Sequence, residues 1–239
     1  MTRLKVLGFL PWICFCFLWS PRLWGQEADS TLWHVSRTAD FEFSGDGLSP
    51  NWQNQPWVEL PERGQRGVEY QTRMKLLYSD SGIYCLYYCQ DRKLTSTLRE
   101  DFADLFNEDV VEAFFWTDEQ VPMYFEYELS PYNYELPILV PNIKGNFLGW
   151  RPWHYEAGRR TRHATHVQQK GSEIQSWTAE FFIPYRLLKP LTHVPPSKGT
   201  RWRANFYRID YDNGPCEWSW QQTRVNFHDF QRFGTLLFQ

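Results

Sequence analysis

The chain has 239 residues, with 28 Asp and Glu against 25 Lys and Arg and a formal net charge of −3. That balance excludes nucleic acid as a partner, because phosphate binding needs a basic face. The length suits one all-β domain with a full core.

Residues 1–25 read as an export signal. Arg3 and Lys5 supply a positive start, and Val6 to Trp19 is an apolar run interrupted by Pro11. It is too short for a membrane span, and no second span of about 18 apolar residues follows. Cleavage is expected after Gly25, leaving a secreted or periplasmic protein. The loss of Arg3, Lys5 and Arg22 brings the charge to −6. Cys14 and Cys16 lack the small-residue context of a lipoprotein box.

Residues 26–39 read as a polar lead-in. Gly45, Gly47 and Pro50 then break any long element. Gly67 to Ser79 alternates as a strand, Ser79-Asp80-Ser81-Gly82 is a turn, and Ile83 to Gln90 is a second strand with aromatics on both faces. Cys85 and Cys89 lie on that strand with Cα atoms roughly 13 Å apart, too far to bridge one another. Either could pair with Cys216; buried free thiols are the simpler reading.

The stretch Phe106 to Ser130, FNEDVVEAFFWTDEQVPMYFEYELS, organises the chain. Two alternating runs flank a turn at Thr117–Gln120. Val111, Ala113 and Phe115 share one face; Val110, Glu112, Phe114 and Trp116 share the other. On the return run Met123, Phe125, Tyr127 and Leu129 share a face, opposite Tyr124, Glu126, Glu128 and Ser130. Glu112 is a carboxylate on an apolar stripe. It must pair, shift its pKa, or meet a ligand.

Residues 131–158 lose the pattern among four prolines and three glycines, and read as a loop carrying Trp150 and Trp153. Thr161 to Gln168 and Ile174 to Ile183 are strands around Lys170-Gly171-Ser172. Tyr185–Leu188 is one helical turn, and Arg201 to Tyr211 is a strand ending in the turn Asp212-Asn213-Gly214-Pro215. Phe233 to Phe238 closes the chain. Many short strands with at most one or two helical turns predict an all-β, antiparallel β-sandwich of jelly-roll type. Trp202, Ala204, Phe206 and Arg208 share a strand face, which puts a cation on an apolar stripe; Arg208 is expected to offset acids of the central strands, directly or across a ligand.

Six phrases occur in order: GIYCLYYCQD at 82–91, FNEDVVEAFF at 106–115, MYFEYELSP at 123–131, WTAEFFIPYRLL at 177–188, TRWRANFYRID at 200–210 and RFGTLLF at 232–238. With them the chain resembles the carbohydrate-binding module family 9 superfamily, in its secreted, stand-alone bacterial form, over residues 40–239. The resemblance implies a β-sandwich that stacks a saccharide between two aromatic side chains while a carboxylate bonds its hydroxyls, in support of polysaccharide breakdown. The first aromatic, six residues before the glutamate of a DxxE strand motif, is Phe106 before Glu112. The second, six residues before the closing Phe-Gly, is Phe227 before Phe233-Gly234. The family has Trp at both places. The return strand offers Glu128 and Ser130 to the cleft. Family members bind calcium structurally, but the sequence carries no calcium-loop signature, so no metal or cofactor is assigned.

The expected ligand-binding set is therefore Phe106, Glu112, Glu128, Ser130, Trp150, Trp153, Arg208 and Phe227, with no catalytic residue. Two other classes compete. Glu112 and Glu128, or Glu126, could form the carboxylate pair of a glycosidase. A haem b electron carrier would need methionine ligands, and Met74 and Met123 both fall on strand faces where core packing accounts for them. His163 and His166 lie three apart on a strand, which turns their rings to opposite sides. Arg159, Arg160 and Arg162 read as a solvated hairpin.

Overall fold

A computed structural model describes residues 31–64, 66–144, 146–153 and 156–239. The expected export signal lies outside the described residues. In chain order the strands are β1 (Leu32–Arg37), β2 (Val58–Glu59), β3 (Glu62–Arg63), β4 (Thr72–Tyr78), β5 (Gly82–Gln90), β6 (Val110–Trp116), β7 (Met123–Leu129) and β8 (Glu135–Ile143). They continue with β9 (Asn146–Phe147), β10 (Arg151–Pro152), β11 (Arg162–Lys170), β12 (Glu173–Pro184), β13 (Arg201–Asp210), β14 (Cys216–Ser219) and β15 (Gly234–Phe238). One helical turn, α1 (Tyr185–Leu188), follows β12. No helix among the described residues is long and apolar enough to cross a membrane.

The fold is an all-β sandwich. Its ladder runs β10-β8-β7-β6-β13-β15-β1-β4-β5-β12-β11. β1 is the hinge between the two layers. Its first four residues pair in parallel with β15, and Ser36 and Arg37 then pair in parallel with β4. The other ladders are antiparallel. The segment expected as a polar lead-in thus supplies a strand, with Val35 fully buried and Trp33 packed edge-on against Phe206 and Trp220.

The two-residue alternation of β6 and β7 has a direct cause in what lies on each side. Val111, Ala113, Phe115, Phe125, Tyr127 and Leu129 point into the sandwich interior, where they meet Cys85, Tyr87 and Phe181 of the other layer. Val110, Phe114, Trp116 and Tyr124 point outward into a second apolar cluster with Ile138 and Tyr207, roofed by loops. The opposite layer repeats the plan: Tyr84, Leu86 and Phe182 face outward and are covered by Phe41, Phe43 and Trp52. Aromatics on both faces of β5 therefore reflect a loop-covered outer face as well as the interior.

Glu180 of β12 ties that cover down. It accepts hydrogen bonds from Gly45 N (2.8 Å), Gly47 N (3.1 Å) and Trp52 Nε1 (2.6 Å). Gly45 is needed there: its φ is +91°, and a Cβ would lie 2.7 Å from the backbone of Ala164 and Thr165.

The loop expected over 131–158 contains β8. Pro137 and Pro141 hide it in the sequence, yet both carbonyls point away from β7, accepting from Trp153 N (2.8 Å) and Leu148 N (3.0 Å). The missing proline N–H groups fall on that outer side and leave the β7–β8 ladder intact. Cys85, Cys89 and Cys216 are buried free thiols. Burial pushes Cys89 and Cys216 up to about 12.

Candidate functional site

The outer face of β6, β7 and β13 is not fully roofed. A cavity of about 370 Å³ opens there, floored by Glu112, Glu126 and Glu128 and walled by Phe106, Trp150 and Phe227. Parity makes this floor. Glu112 stands directly across the ladder from Glu128, with Glu126 opposite Phe114, so all three carboxyls leave the sheet on one side. Glu112, Glu126 and Glu128 are 2%, 3% and 1% exposed.

The walls come from loops. Phe106 sits in the short turn Leu105–Asn107 just before β6. Its ring meets Trp150 edge-on at 6.3 Å, and its carbonyl accepts from Tyr211 OH at 2.8 Å. Phe227 lies flat on Tyr207, with centroids 4.0 Å apart and planes 8° from parallel. Tyr207 OH also donates to the Phe227 carbonyl at 2.8 Å. One face of Phe227 is thereby taken, and the Arg63 guanidinium stands 5.4 Å from its centroid. Both phenylalanines are half-buried.

The floor is electrostatically unusual. Burial raises the Glu112 pKa to about 8, with Glu217 adding to it. Burial also raises Glu126 and Glu128 well above the carboxylate range, and the charge of Glu112 pushes the same way. Glu126 and Glu128 perturb one another, and the nearby Phe106 backbone N–H works against the rise at Glu128. Oε2 of Glu126 and Oε2 of Glu128 are buried without a hydrogen-bond partner. The cavity's guanidinium, Arg63, is bound to Glu217 and to the Thr223 carbonyl (3.3 Å). His228 lies 3.8 Å from Glu126 Oε2, but burial lowers its pKa to about 4 and keeps it neutral. Its ring is stacked on Phe147 at 4.2 Å and bonds Tyr124 OH at 2.7 Å.

Five of the eight residues expected at a binding site meet in this cavity: Phe106, Glu112, Glu128, Trp150 and Phe227. Three do not. Ser130 is buried at the end of β7, where Oγ and N bond Tyr134 and close the turn into β8. Trp153 packs against the interior cluster and donates Nε1–H to the Leu187 carbonyl at 2.7 Å. Arg208 lies one residue out of phase with the cavity face and points into the sandwich. There it binds Asp91 (2.9 Å) and Asp210 (2.6 Å), and its guanidinium rests 4.8 Å from the Trp218 ring. It offsets acids, but not those of the cavity.

Arg63, Glu217, His228 and Phe147 were not foreseen. Glu217 carried a usable signal: Cys216 to Ser219 alternates after the 212–215 turn, and pairing with Ile209 puts Glu217 on the cavity face. The other three sit on loops or two-residue strands that show no period.

Among the described residues, the acids whose ligand atoms converge within 4.8 Å are Asp91, Asp210 and Asp212. Arg208 already meets the charge of the first two, so this trio is a poor calcium site. Arg162, expected on a solvated hairpin, is half-buried over Phe182 (4.6 Å) and paired with Glu42 (2.6 Å).

No protein-family model and no curated protein sequence matches the chain. Solved structures do. A candidate carbohydrate-binding protein from Bacteroides uniformis aligns with a TM-score of 0.72 at 15% identity, over 87% of this chain and 99% of that one. A family 9 carbohydrate-binding module from Caldicellulosiruptor kristjanssonii, in complex with cellotriose, aligns with a TM-score of 0.62 at 15% identity, over 87% and 93%. The same organism's module in complex with glucose gives 0.59 at 14% identity, over 86% and 95%. The fold is that of the family 9 carbohydrate-binding modules. In this family 9 fold, β6 and β7 present their outward side chains to the cavity and their inward ones to the core.

Proposed function

We propose that the protein is a non-catalytic carbohydrate-binding domain, exported after loss of residues 1–25, that supports polysaccharide breakdown. A saccharide unit sits between the Phe106–Trp150 wall and Phe227, and its hydroxyls bond Glu112 and Glu128. One observation carries this reading. Phe106, Glu112, Glu128, Trp150 and Phe227, scattered over more than a hundred residues of sequence, line a single cavity of about 370 Å³. Half-buried rings beside buried polar groups suit a pyranose, which is apolar on its faces and polar at its rim. The structural neighbours that bind cellotriose and glucose support the same reading.

Binding is favoured over hydrolysis. A glycosidase needs an ionised carboxylate beside a protonated acid. In this cavity burial raises Glu112, Glu126 and Glu128 together. Haem ligation by methionine has no support, since Met74 and Met123 pack on the interior cluster, away from the cavity. Calorimetric titration with glucose and cellotriose tests the proposal. Wild-type protein is expected to bind saccharide and Phe106→Ala to bind it more weakly; equal affinity in both would contradict the site.

A further inference from the structure

Buried acids elsewhere in this molecule have donors built for them. Glu180 receives three N–H groups, Asp91 and Asp210 share Arg208, and Asp109 accepts Thr95 N (2.5 Å) and Tyr211 N (2.8 Å). The cavity floor breaks this rule. Three carboxyl side chains at neighbouring positions on two adjacent strands line the cavity, and two of their oxygens are buried without a hydrogen-bond partner. Each charged or titratable neighbour is engaged. Arg63 is held by Glu217, His228 by Tyr124 and two aromatic rings, Tyr207 by Asn205 and Phe227, and Tyr211 by Phe106. Among the described residues, no Lys side chain lines the cavity. A group of acids with no internal counter-charge is arranged for a cation from outside.

The shape of the cavity says which kind. The floor acids are not among the sets whose ligand atoms converge within 4.8 Å, which disfavours a bare metal ion. Four aromatic rings, Phe106, Phe147, Trp150 and Phe227, line the same cavity. Aromatic faces attract organic ammonium groups, and an ammonium has three N–H donors for carboxyl oxygens.

Resting on the saccharide reading of this cavity, we infer that its preferred ligand is an amine-bearing sugar, such as a glucosamine unit, whose ammonium is received by Glu112, Glu126 and Glu128. On binding, the ammonium displaces a proton from the floor carboxyls, which burial favours in their protonated form, and that proton leaves to solvent.

The test is calorimetry of the mature protein at pH 6.5 with glucosamine, glucose and N-acetylglucosamine, repeated in two buffers of different ionisation enthalpy. Glucosamine is expected to bind at least about tenfold more tightly than the two uncharged sugars, with an observed enthalpy that depends on the buffer. Glu126→Gln, which keeps the shape but cannot ionise to meet an ammonium, is expected to erase the preference while glucose, bonded through Glu112 and Glu128, still binds. Glucose binding as tightly as glucosamine overturns the inference and leaves the saccharide site standing. Failure of all three sugars overturns both.

Discussion

Glu112 and Arg208 sit on adjacent strands one register position apart and face opposite sides of the same sheet. Tyr207 is the residue opposite Glu112, and Arg208 is opposite Val111. Each is a fully or almost fully buried charge-bearing group on an otherwise apolar stripe. Their fates differ because Arg208 finds Asp91 and Asp210 inside the sandwich, whereas Glu112 looks onto a cavity shared with Glu126, Glu128 and Glu217.

Arg208→Ala is expected to lower unfolding stability by about 3–5 kcal/mol, because Asp91 and Asp210 lose their counter-charge in the interior. The denaturant midpoint reads this directly. A midpoint equal to wild type would mean that the two aspartates are neutral or hydrated in the native state.

The two phenylalanines are expected to separate. Phe106→Ala removes a half-buried wall and should weaken saccharide binding by about 1–3 kcal/mol, by analogy with aromatic stacking on bases. Its stability cost should stay below the roughly 3–5 kcal/mol of a core Phe truncation. Phe227→Ala also breaks the stack on Tyr207, adding about 0.5–1.5 kcal/mol to its stability cost. Paired titration and urea unfolding of the two variants check this. A Phe106 variant that binds normally but unfolds several kcal/mol more easily would make Phe106 a core residue.

Stability is expected to fall as pH rises from about 4.5 to about 8. Glu112 has an ordinary pKa of 4.5 and a folded value of about 8. Between the two, the folded protein holds a proton that the unfolded chain has released. Stability therefore declines across that window and levels off above about 8. Asp109, raised by burial to about 8, acts in the same direction. His228 acts oppositely and lower down: with 6.5 depressed to about 4, it adds stability as pH rises from 4 to 6.5. Urea midpoints from pH 5 to 9 should show a shallower decline for Glu112→Gln than for wild type. Identical slopes would remove Glu112 from the account.

The strands were legible where one face met the interior and the other met a loop-covered cluster, as in β6, β7 and β13. Their alternation gave the side of every residue, and hence the cavity floor. β1 was hidden because it is a short parallel link, with His34 and Arg37 exposed beside buried Trp33 and Val35. β8 was hidden by Pro137 and Pro141, which pairing on the outer edge makes harmless. At the site, Phe106 and Phe227 came from their spacing to landmarks of a resembled family. Arg63 and His228 could not be found that way, since only the tertiary fold brings residues 63 and 228 to the mouth of the cavity. Arg208 was read correctly as a buried cation on an apolar stripe, but strand parity should have separated it from Glu112 at once.

The central claim is that saccharide enters the cavity between Phe106 and Phe227 above Glu112 and Glu128. Amide chemical-shift mapping of the mature protein, titrated in turn with glucose, cellotriose and glucosamine, tests it most directly. Saturable shifts are expected to concentrate at Phe106, Glu112, Glu128, Trp150 and Phe227. Shifts centred instead on the 41–57 cover of the opposite layer, or no saturable shift with any of the three, would contradict it.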